Sequence, residues 1–119
     1  MDISRETRIL NEIKRINSIL TKMEKHTKIA VKSLIENAAF MAVTLQDLQA
    51  IINVKGAVEK YQNGANQHGV KKSSEVEVYN SMIKNYSSVM KQLTDLLPKP
   101  GTVIPGQPDD FDKFLAERE

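Results

Sequence analysis

The side chains that most often perform catalysis are few and scattered in this sequence. His26 and His68 are the only histidines, they lie in different segments, and the chain contains no cysteine. The carboxylates occur singly, and the sequence has neither a glycine-rich phosphate loop nor residues at metal-ligand spacing. These residue types predict a protein that is not an enzyme and needs no metal or organic cofactor. A small nuclease or hydrolase that relies on carboxylates is the weaker alternative.

Cationic side chains are the remaining candidates for chemistry, and they are concentrated near the N-terminus. Residues 1–32 hold eight lysines and arginines against four acids, whereas residues 100–119 hold two against five. Clustered cations suit nucleic-acid phosphates, and the alternative interpretation is an ordinary solvated helix face. The candidate DNA-contacting residues are Arg5, Arg8, Lys14, Arg15, Lys22, Lys25, Lys28, Lys32, Lys71 and Lys72.

A basic helix is predicted over residues 4–25, where many of these cations lie. Ser4 is a suitable N-cap, and Glu6 stands near the positive end of the helix dipole. The apolar residues recur at alternating steps of four and three, which is the spacing of a coiled-coil stripe. They are Ile9, Ile13, Ile16, Leu20 and Met23. A stripe this narrow requires a packing partner.

A second helix is predicted over residues 28–55, with Thr27 as its cap and Gly56 as its C-terminal stop. The run from Asn37 to Val43 is apolar almost all round. A helix that is apolar on more than one face is buried on more than one side. In a small chain, this predicts a contact between subunits in addition to an internal core.

A short β-ribbon is predicted near residues 57–72, because Asn63-Gly64 is a hairpin signal between two short segments. The alternative is that the second helix continues through Gly56 to Tyr61, at a cost of about 1 kcal/mol at the glycine.

The last long helix is predicted over residues 74–97, and its apolar spacing is the most regular in the chain. Ser74 and Glu77 form a capping-box pair, and Pro98 ends the helix. Its apolar residues form an unbroken heptad stripe. The candidate oligomer and core residues of the two long helices are Leu34, Ala38, Met41, Leu45, Leu48, Ile52, Tyr79, Ile83, Tyr86, Met90, Leu93 and Leu97.

A linker and a tail peptide follow at residues 99–119. Proline and glycine mark the linker. Phe111, Phe114 and Leu115 then stand at helical spacing behind Asp110. An acidic-aromatic peptide on a tether is typical of a partner-docking motif.

These patterns predict an all-α protein whose long helices form an antiparallel hairpin or bundle, with a possible β-ribbon and a flexible C-terminal tail. The predicted domains are a basic N-terminal helix over 1–27, a helical oligomerisation core over 28–98 and the tail over 99–119. No apolar run has the length of a bilayer span, and the N-terminus lacks the apolar core of a signal peptide. We therefore expect a soluble protein without a membrane partner.

Several blocks of the sequence resemble a family of short phage terminase small subunits, in the same order as in that family. The resemblance covers about residues 34–98 and the tail. It is carried by Asn37–Met41, Thr44–Leu48, Gly56, Tyr61–Gly64, Lys71–Asn80, Ile83–Tyr86, Lys91–Pro98 and Asp109–Phe114. The N-terminal third is less similar, and serine stands at Ser74 where the family often has proline.

The resemblance implies a non-enzymatic DNA-packaging component in the host cytoplasm. Such proteins form homo-oligomeric rings, engage viral double-stranded DNA and regulate the ATPase and nuclease of a large terminase subunit. In this chain, the tail residues Asp110, Phe111, Phe114 and Leu115 would dock the large subunit. The alternative function is a helical protein-interaction adaptor with no nucleic-acid role, because many adaptors share the same helical features.

Overall fold

The computed structural model of the protein describes residues 3–62, 64 and 68–99, apart from the side chain of Tyr61. Within these residues the chain forms four helices and one two-stranded antiparallel sheet, and most of it is helical. The elements are α1 (Arg5–Ile19), α2 (Lys25–Ala30), α3 (Lys32–Lys55), β1 (Val58–Gln62), β2 (His68–Lys72) and α4 (Ser74–Asp95). The predicted helical class and the predicted ribbon are both confirmed.

Helix α1 begins as predicted and ends earlier than predicted. The Ser4 hydroxyl oxygen accepts a hydrogen bond from the Thr7 backbone N–H at 3.1 Å, so Ser4 is the N-cap. The helix ends at Ile19, six residues before the predicted end at residue 25. Leu20 and Met23 lie in the turn that follows, and both side chains are buried. The apolar spacing continues through this turn because Leu20 and Met23 still pack into the core after the helix has ended.

Two bends precede the long central helix, whereas the sequence predicted one break, near residues 25–27. Helix α2 is capped by the Glu24 carboxylate, which accepts from the Thr27 N–H at 3.0 Å, so the prediction that Thr27 is the cap was wrong. Backbone hydrogen bonds from His26 and Thr27 lower the pKa of Glu24. A second bend lies at Val31, where ψ is 13°. Val31 packs against the core, and no glycine or proline marks the position.

Gly56 separates the central helix from the ribbon, as predicted. Its φ of 90° is a conformation that side chains with a Cβ disfavour. The alternative helix through Gly56 to Tyr61 is wrong, because β1 begins at Val58. Strands β1 and β2 pair in the register Val58 with Lys72 and Gln62 with His68.

The ribbon leads directly into α4, and the cap of this helix differs from the prediction by one residue. The Ser73 hydroxyl oxygen accepts from the Val76 N–H at 3.2 Å, so Ser73 is the N-cap and Ser74 is the first helical residue. The Ser73 N–H in turn donates to the Ala57 carbonyl oxygen at 3.1 Å. Ser73 therefore joins the start of α4 to the base of the ribbon, which explains why it is buried.

We expect the two adjacent serines to differ in their effect on stability. Replacing Ser73 by alanine removes the cap and leaves the Val76 N–H without its partner, which costs about 1 kcal/mol. Replacing Ser74, which is exposed, should change the free energy of unfolding by less than about 0.5 kcal/mol. Urea denaturation of both variants measures the difference, and equal losses would contradict the assignment of the cap.

The core lies where α1, α3 and α4 meet. Its fully buried cluster consists of Ile16, Leu20, Met23, Ile35, Ala38, Ala39 and Leu93. From α4, Tyr86 and Met90 of the heptad stripe pack against this cluster, as does Leu97 just beyond the helix. The stripe therefore contributes to the core of its own chain. Among the helices of the described residues, none combines the length and apolarity that a membrane crossing requires.

Candidate nucleic-acid interface

Two of the candidate DNA-contacting arginines bind the central helix instead of projecting into solvent. Arg5 Nη1 lies 2.5 Å from Asp47 Oδ2, and Arg8 Nη1 lies 2.7 Å from Asp47 Oδ1. Arg5 also donates to the Thr44 hydroxyl oxygen, and its guanidinium carbon stands 5.0 Å from the centre of the Phe40 ring. One aspartate thus receives two guanidinium groups, which fastens the start of α1 to α3.

We expect Asp47→Asn to loosen this attachment. The neutral amide loses the charge attraction to Arg5 and Arg8, and because all three side chains are between 31% and 40% exposed, the loss should be only about 1 kcal/mol. The change should shrink in concentrated salt, which screens exposed charges. Asp95→Asn is the matched control, since Asp95 pairs only within α4 with the exposed Lys91, and it should leave stability unchanged. Urea denaturation at low and high salt measures both variants.

The next candidates along the chain are Lys14, Arg15 and Lys22, and all three side chains are exposed. Arg15 donates through Nε and Nη2 to Glu12 Oε1, at 2.9 and 2.5 Å. The hydrogen bond with Glu12 is the main reason that the pKa of Arg15 is raised. Lys14 is exposed on α1, and Lys22 is exposed in the turn after it. Arg15 therefore has a carboxylate beside it, whereas the side chain of Lys14 extends from the helix surface.

Three lysines come together on one side of the molecule, in a groove formed by α1, α2 and the start of α3. Lys25, Lys28 and Lys32 recur at steps of three and four, which places them along one side of the chain. The groove has a volume of about 560 Å³. We call it the lysine groove, and its lining residues are Ile13, Asn17, Lys25, Lys28, Ile29, Lys32, Ile35 and Glu36.

The charge of the lysine groove is only partly compensated. Lys32 Nζ lies 4.0 Å from Glu36 Oε1, and both of these side chains are more than half exposed. Such a contact is weak because water screens it. Lys28 Nζ donates to the Asn17 carbonyl oxygen at 3.4 Å, a contact that leaves its charge uncompensated. The three lysines against one acid give the groove a net positive charge that is accessible to solvent.

The last two candidates lie far from this groove. Lys71 and Lys72 belong to β2, which follows the far end of α3, and Lys71 Nζ is 3.6 Å from Glu59 Oε1 across the ribbon. Helix α3 has 24 residues, so its ends are roughly 35 Å apart. The structure therefore divides the predicted cations into four groups: the two arginines that pair with Asp47, the lysine groove, the ribbon, and a group on and just after α1 that consists of Lys14, Arg15 and Lys22.

The predicted oligomer and core residues mostly face the interior of the chain. Ala38, Leu45 and Leu93 are buried. The others are half-buried, namely Leu34, Met41, Leu48, Ile52, Tyr79, Ile83, Tyr86, Met90 and Leu97. The predicted tail residues Asp110, Phe111, Phe114 and Leu115 lie outside the described residues.

A further apolar surface remains exposed, and Met41 is its one residue among the predicted oligomer and core residues. Phe40 and Ile51 of α3 are 48% and 41% exposed, and Val78 of α4 is 47% exposed. Val78 also lines a groove of about 380 Å³ together with Met41 and Met82. We call the residues Met41, Val78 and Met82 the α3–α4 apolar face, and Phe40 and Ile51 are two further exposed apolar residues of α3. The apolar run from Asn37 to Val43 was the one signal of this face, since Met41 lies there.

The two histidines stay apart in the fold. His26 is exposed on α2 and His68 is exposed on β2, at opposite ends of α3. Within the part of the chain that the structure describes, no three histidine or carboxylate side chains are grouped closely enough to hold a metal ion.

The geometry therefore offers two surfaces for binding, the lysine groove and the α3–α4 apolar face. Comparison with known proteins finds no matching protein family, no matching characterised protein and no matching solved structure.

Proposed function

We propose that this protein is a terminase small subunit of a tailed phage. In this role it is an oligomeric factor that engages viral double-stranded DNA and regulates the ATPase and nuclease of the large terminase subunit. The observation that carries the proposal is the lysine groove, where Lys25, Lys28 and Lys32 against Glu36 leave a net positive charge on one side of the molecule. The sequence blocks that resemble the terminase family support the same function.

The lysine groove is the first DNA-contacting surface in this proposal. Lysine ammonium groups neutralise phosphates and release the counterions condensed on DNA, and this release supplies affinity that does not depend on sequence. Arg5 and Arg8 contribute less, because Asp47 already compensates their charge. Lys71 and Lys72 provide a second contact at the other end of the subunit. The interaction is with the backbone of the duplex, whose phosphates position the protein.

Each subunit of the proposed oligomer is an antiparallel bundle of α1, α3 and α4. Two contacts between helices support this arrangement, because Arg5 at the start of α1 meets Asp47 late in α3, and Lys55 at the end of α3 meets Glu75 at the start of α4. The α3–α4 apolar face is the surface through which subunits pack. In a ring, this face packs on a different surface of the next subunit, and such a head-to-tail contact produces a ring when the rotation closes. A ring repeats the lysine groove around one shared surface and so multiplies its attraction for DNA.

The C-terminal residues 99–119 supply the contact with the large subunit. Their sequence places Phe111, Phe114 and Leu115 at helical spacing after the acids, which is the pattern of a peptide that lays an apolar face in a partner's groove. The linker lets this peptide reach a second protein while the bundle stays on DNA.

A salt titration of duplex binding by the full chain tests the DNA-binding part of the proposal. Fluorescence anisotropy of a labelled duplex, measured between low and moderate salt, should give a straight line of log affinity against log salt concentration. Each phosphate contact should make the slope of this line more negative by about 0.9. Binding too weak to detect at the lowest salt would contradict the proposal.

The absence of DNA binding would favour the second candidate function, a helical protein-interaction adaptor. One specific observation supports this candidate. The lysine groove has an apolar lining from Ile13, Ile29 and Ile35, which an acidic amphipathic peptide fills better than a phosphate backbone does. The adaptor predicts that peptides of this kind bind and that duplex DNA does not.

A further inference from the structure

The lysine groove has a cationic rim and an apolar lining, and a phosphate backbone would contact only the rim. Its rim is cationic, from Lys25, Lys28 and Lys32. Its apolar lining runs from the buried Ile35 to Ile29, which is 64% exposed. Its volume of about 560 Å³ lies within the range of about 300–1,000 Å³ found for ligand-binding pockets. The fitting ligand therefore carries carboxylates and bulky apolar side chains together.

One segment of this chain has that chemistry. Residues 109–115 contain three aspartates, together with Phe111, Phe114 and Leu115 at spacings of three and four. The sequence around it, residues 100–119, carries five acids against two bases, so its charge is opposite to that of the groove. Apolar side chains at this spacing lie on one side of a helical peptide, which is the arrangement that inserts into an apolar groove.

The path of the chain brings this segment within reach of the groove. Leu97 packs against the buried cluster that contains Ile35, and Ile35 also lines the lysine groove. Nine residues then lie between Lys99 and Asp109, and the ten residue steps between them span up to about 35 Å. A tether this short gives a local concentration of about 1 mM. Even weak docking is therefore favourable within one chain.

We propose that residues 109–115 dock in the lysine groove of their own chain. Phe111 and Phe114 cover Ile13 and Ile29, and the aspartates lie against the rim lysines. The docked segment covers the lysines that contact DNA and keeps its own aromatic side chains from a second protein. The effects on DNA and on a second protein rest on the proposed function, whereas the docking itself does not. DNA and the tail then compete for one surface, so binding of DNA releases the tail to its partner.

A spin label on the tail tests the docking directly in the full chain. The protein has no cysteine, so Ala116→Cys provides a single attachment site for a nitroxide. Methyl signals of isotopically labelled isoleucines report which residues the label approaches. A concentration of about 1 mM fills more than half of the grooves for any Kd below 1 mM, so the Ile13 and Ile29 signals should weaken by roughly twofold or more. Ile51, near the opposite end of α3 from the groove, should keep its intensity.

Matched variants separate docking from random approach of the label. Phe111→Ala with Phe114→Ala should restore the Ile13 and Ile29 signals. Ile29→Asp should restore the Ile13 methyl signal, because the substitution removes an apolar contact and repels the aspartates of the tail. Val54→Asp is the control at another exposed apolar residue, 89% exposed on α3, and should restore nothing. Equal weakening of Ile29 and Ile51, or weakening that survives the phenylalanine changes, would overturn the proposal.

Mixed samples decide whether the docking occurs within one chain. Spin-labelled chains without isotopes are refolded together with isotopically labelled chains without the nitroxide. The proposal predicts no weakening in this mixture, and weakening of Ile29 would assign the groove to the tail of another copy and overturn it. No DNA is present, so the result is independent of the salt titration, and failure of either experiment leaves the other interpretable.

Discussion

Replacing Lys25, Lys28 and Lys32 together by glutamine is expected to weaken binding of duplex DNA by roughly 100- to 1,000-fold at about 0.1 M salt. Each phosphate contact contributes about 0.9 to the slope of log affinity against log salt. Three contacts therefore account for about 2.7 of that slope, and for about 2.7 decades of affinity at 0.1 M relative to 1 M salt. Anisotropy titrations of the variant should show both the weaker binding and the shallower slope.

A second triple variant controls for net charge. Lys84, Lys91 and Lys99 are exposed, on α4 or just beyond it, and replacing them by glutamine removes the same number of charges from a different surface. This control should retain most of the affinity and of the salt slope. If the two triple variants lose affinity equally, the protein responds to its total charge, and the lysine groove has no particular role in binding DNA.

Leu93→Ala is expected to cost about 2–5 kcal/mol of folding free energy, which is the range for truncating a fully buried leucine. Leu93 is 0% exposed and is the buried residue that α4 contributes to the core cluster. Proteins of this size are stable by only about 5–15 kcal/mol, so the variant should be close to unfolding at physiological temperature. Urea denaturation measures the loss.

Leu96→Ala is the control for that experiment. Leu96 is 46% exposed and lies three residues beyond Leu93, at the end of the same helix. Its truncation should change the free energy of unfolding by less than about 0.5 kcal/mol. Equal losses at the two positions would contradict the packing of α4 on the core. Both variants should be compared at several protein concentrations, because subunit association adds to apparent stability.

Local signals in the sequence were sufficient for most of the fold. Ser4 and Gly56 mark helix ends through chemistry confined to neighbouring residues, namely a side-chain cap and a glycine at positive φ. The heptad stripe of α4 predicted its packing because the spacing of apolar residues determines which side of a helix is buried. The ribbon was predictable because it connects segments that are adjacent in the chain.

The features that the sequence did not predict depend on contacts between distant residues. Arg5 and Asp47 are 42 residues apart, so their ion pair becomes visible only once α1 lies on α3. The bend at Val31 carries no glycine or proline signal. The cap at Ser73 was missed because Ser74 satisfies the same pattern, and the bond from Ser73 to Ala57 distinguishes them only in the folded chain.

The candidate site was only partly predictable, because its apolar lining also depends on contacts between residues that are distant in the sequence. Lys25, Lys28 and Lys32 were among the cations predicted from the sequence, and the structure adds that they share one groove with an apolar lining from Ile13 and Ile35. Ile13 belongs to a different helix from the lysines, so no local pattern could have joined them. The apolar run from Asn37 to Val43 predicted a contact between subunits, but it could not show that Phe40 is the exposed residue while its neighbours Ala38 and Ala39 are fully buried.

Native mass spectrometry of the full chain, alone and with a duplex, tests the central claim most directly. The proposed terminase small subunit predicts one closed oligomer in the protein-only spectrum and the same oligomer carrying duplex DNA in the mixture. The DNA-bound species should disappear as the volatile salt concentration rises, because the contact is with phosphates. A spectrum that contains only monomer, without bound DNA at the lowest salt, would contradict the account.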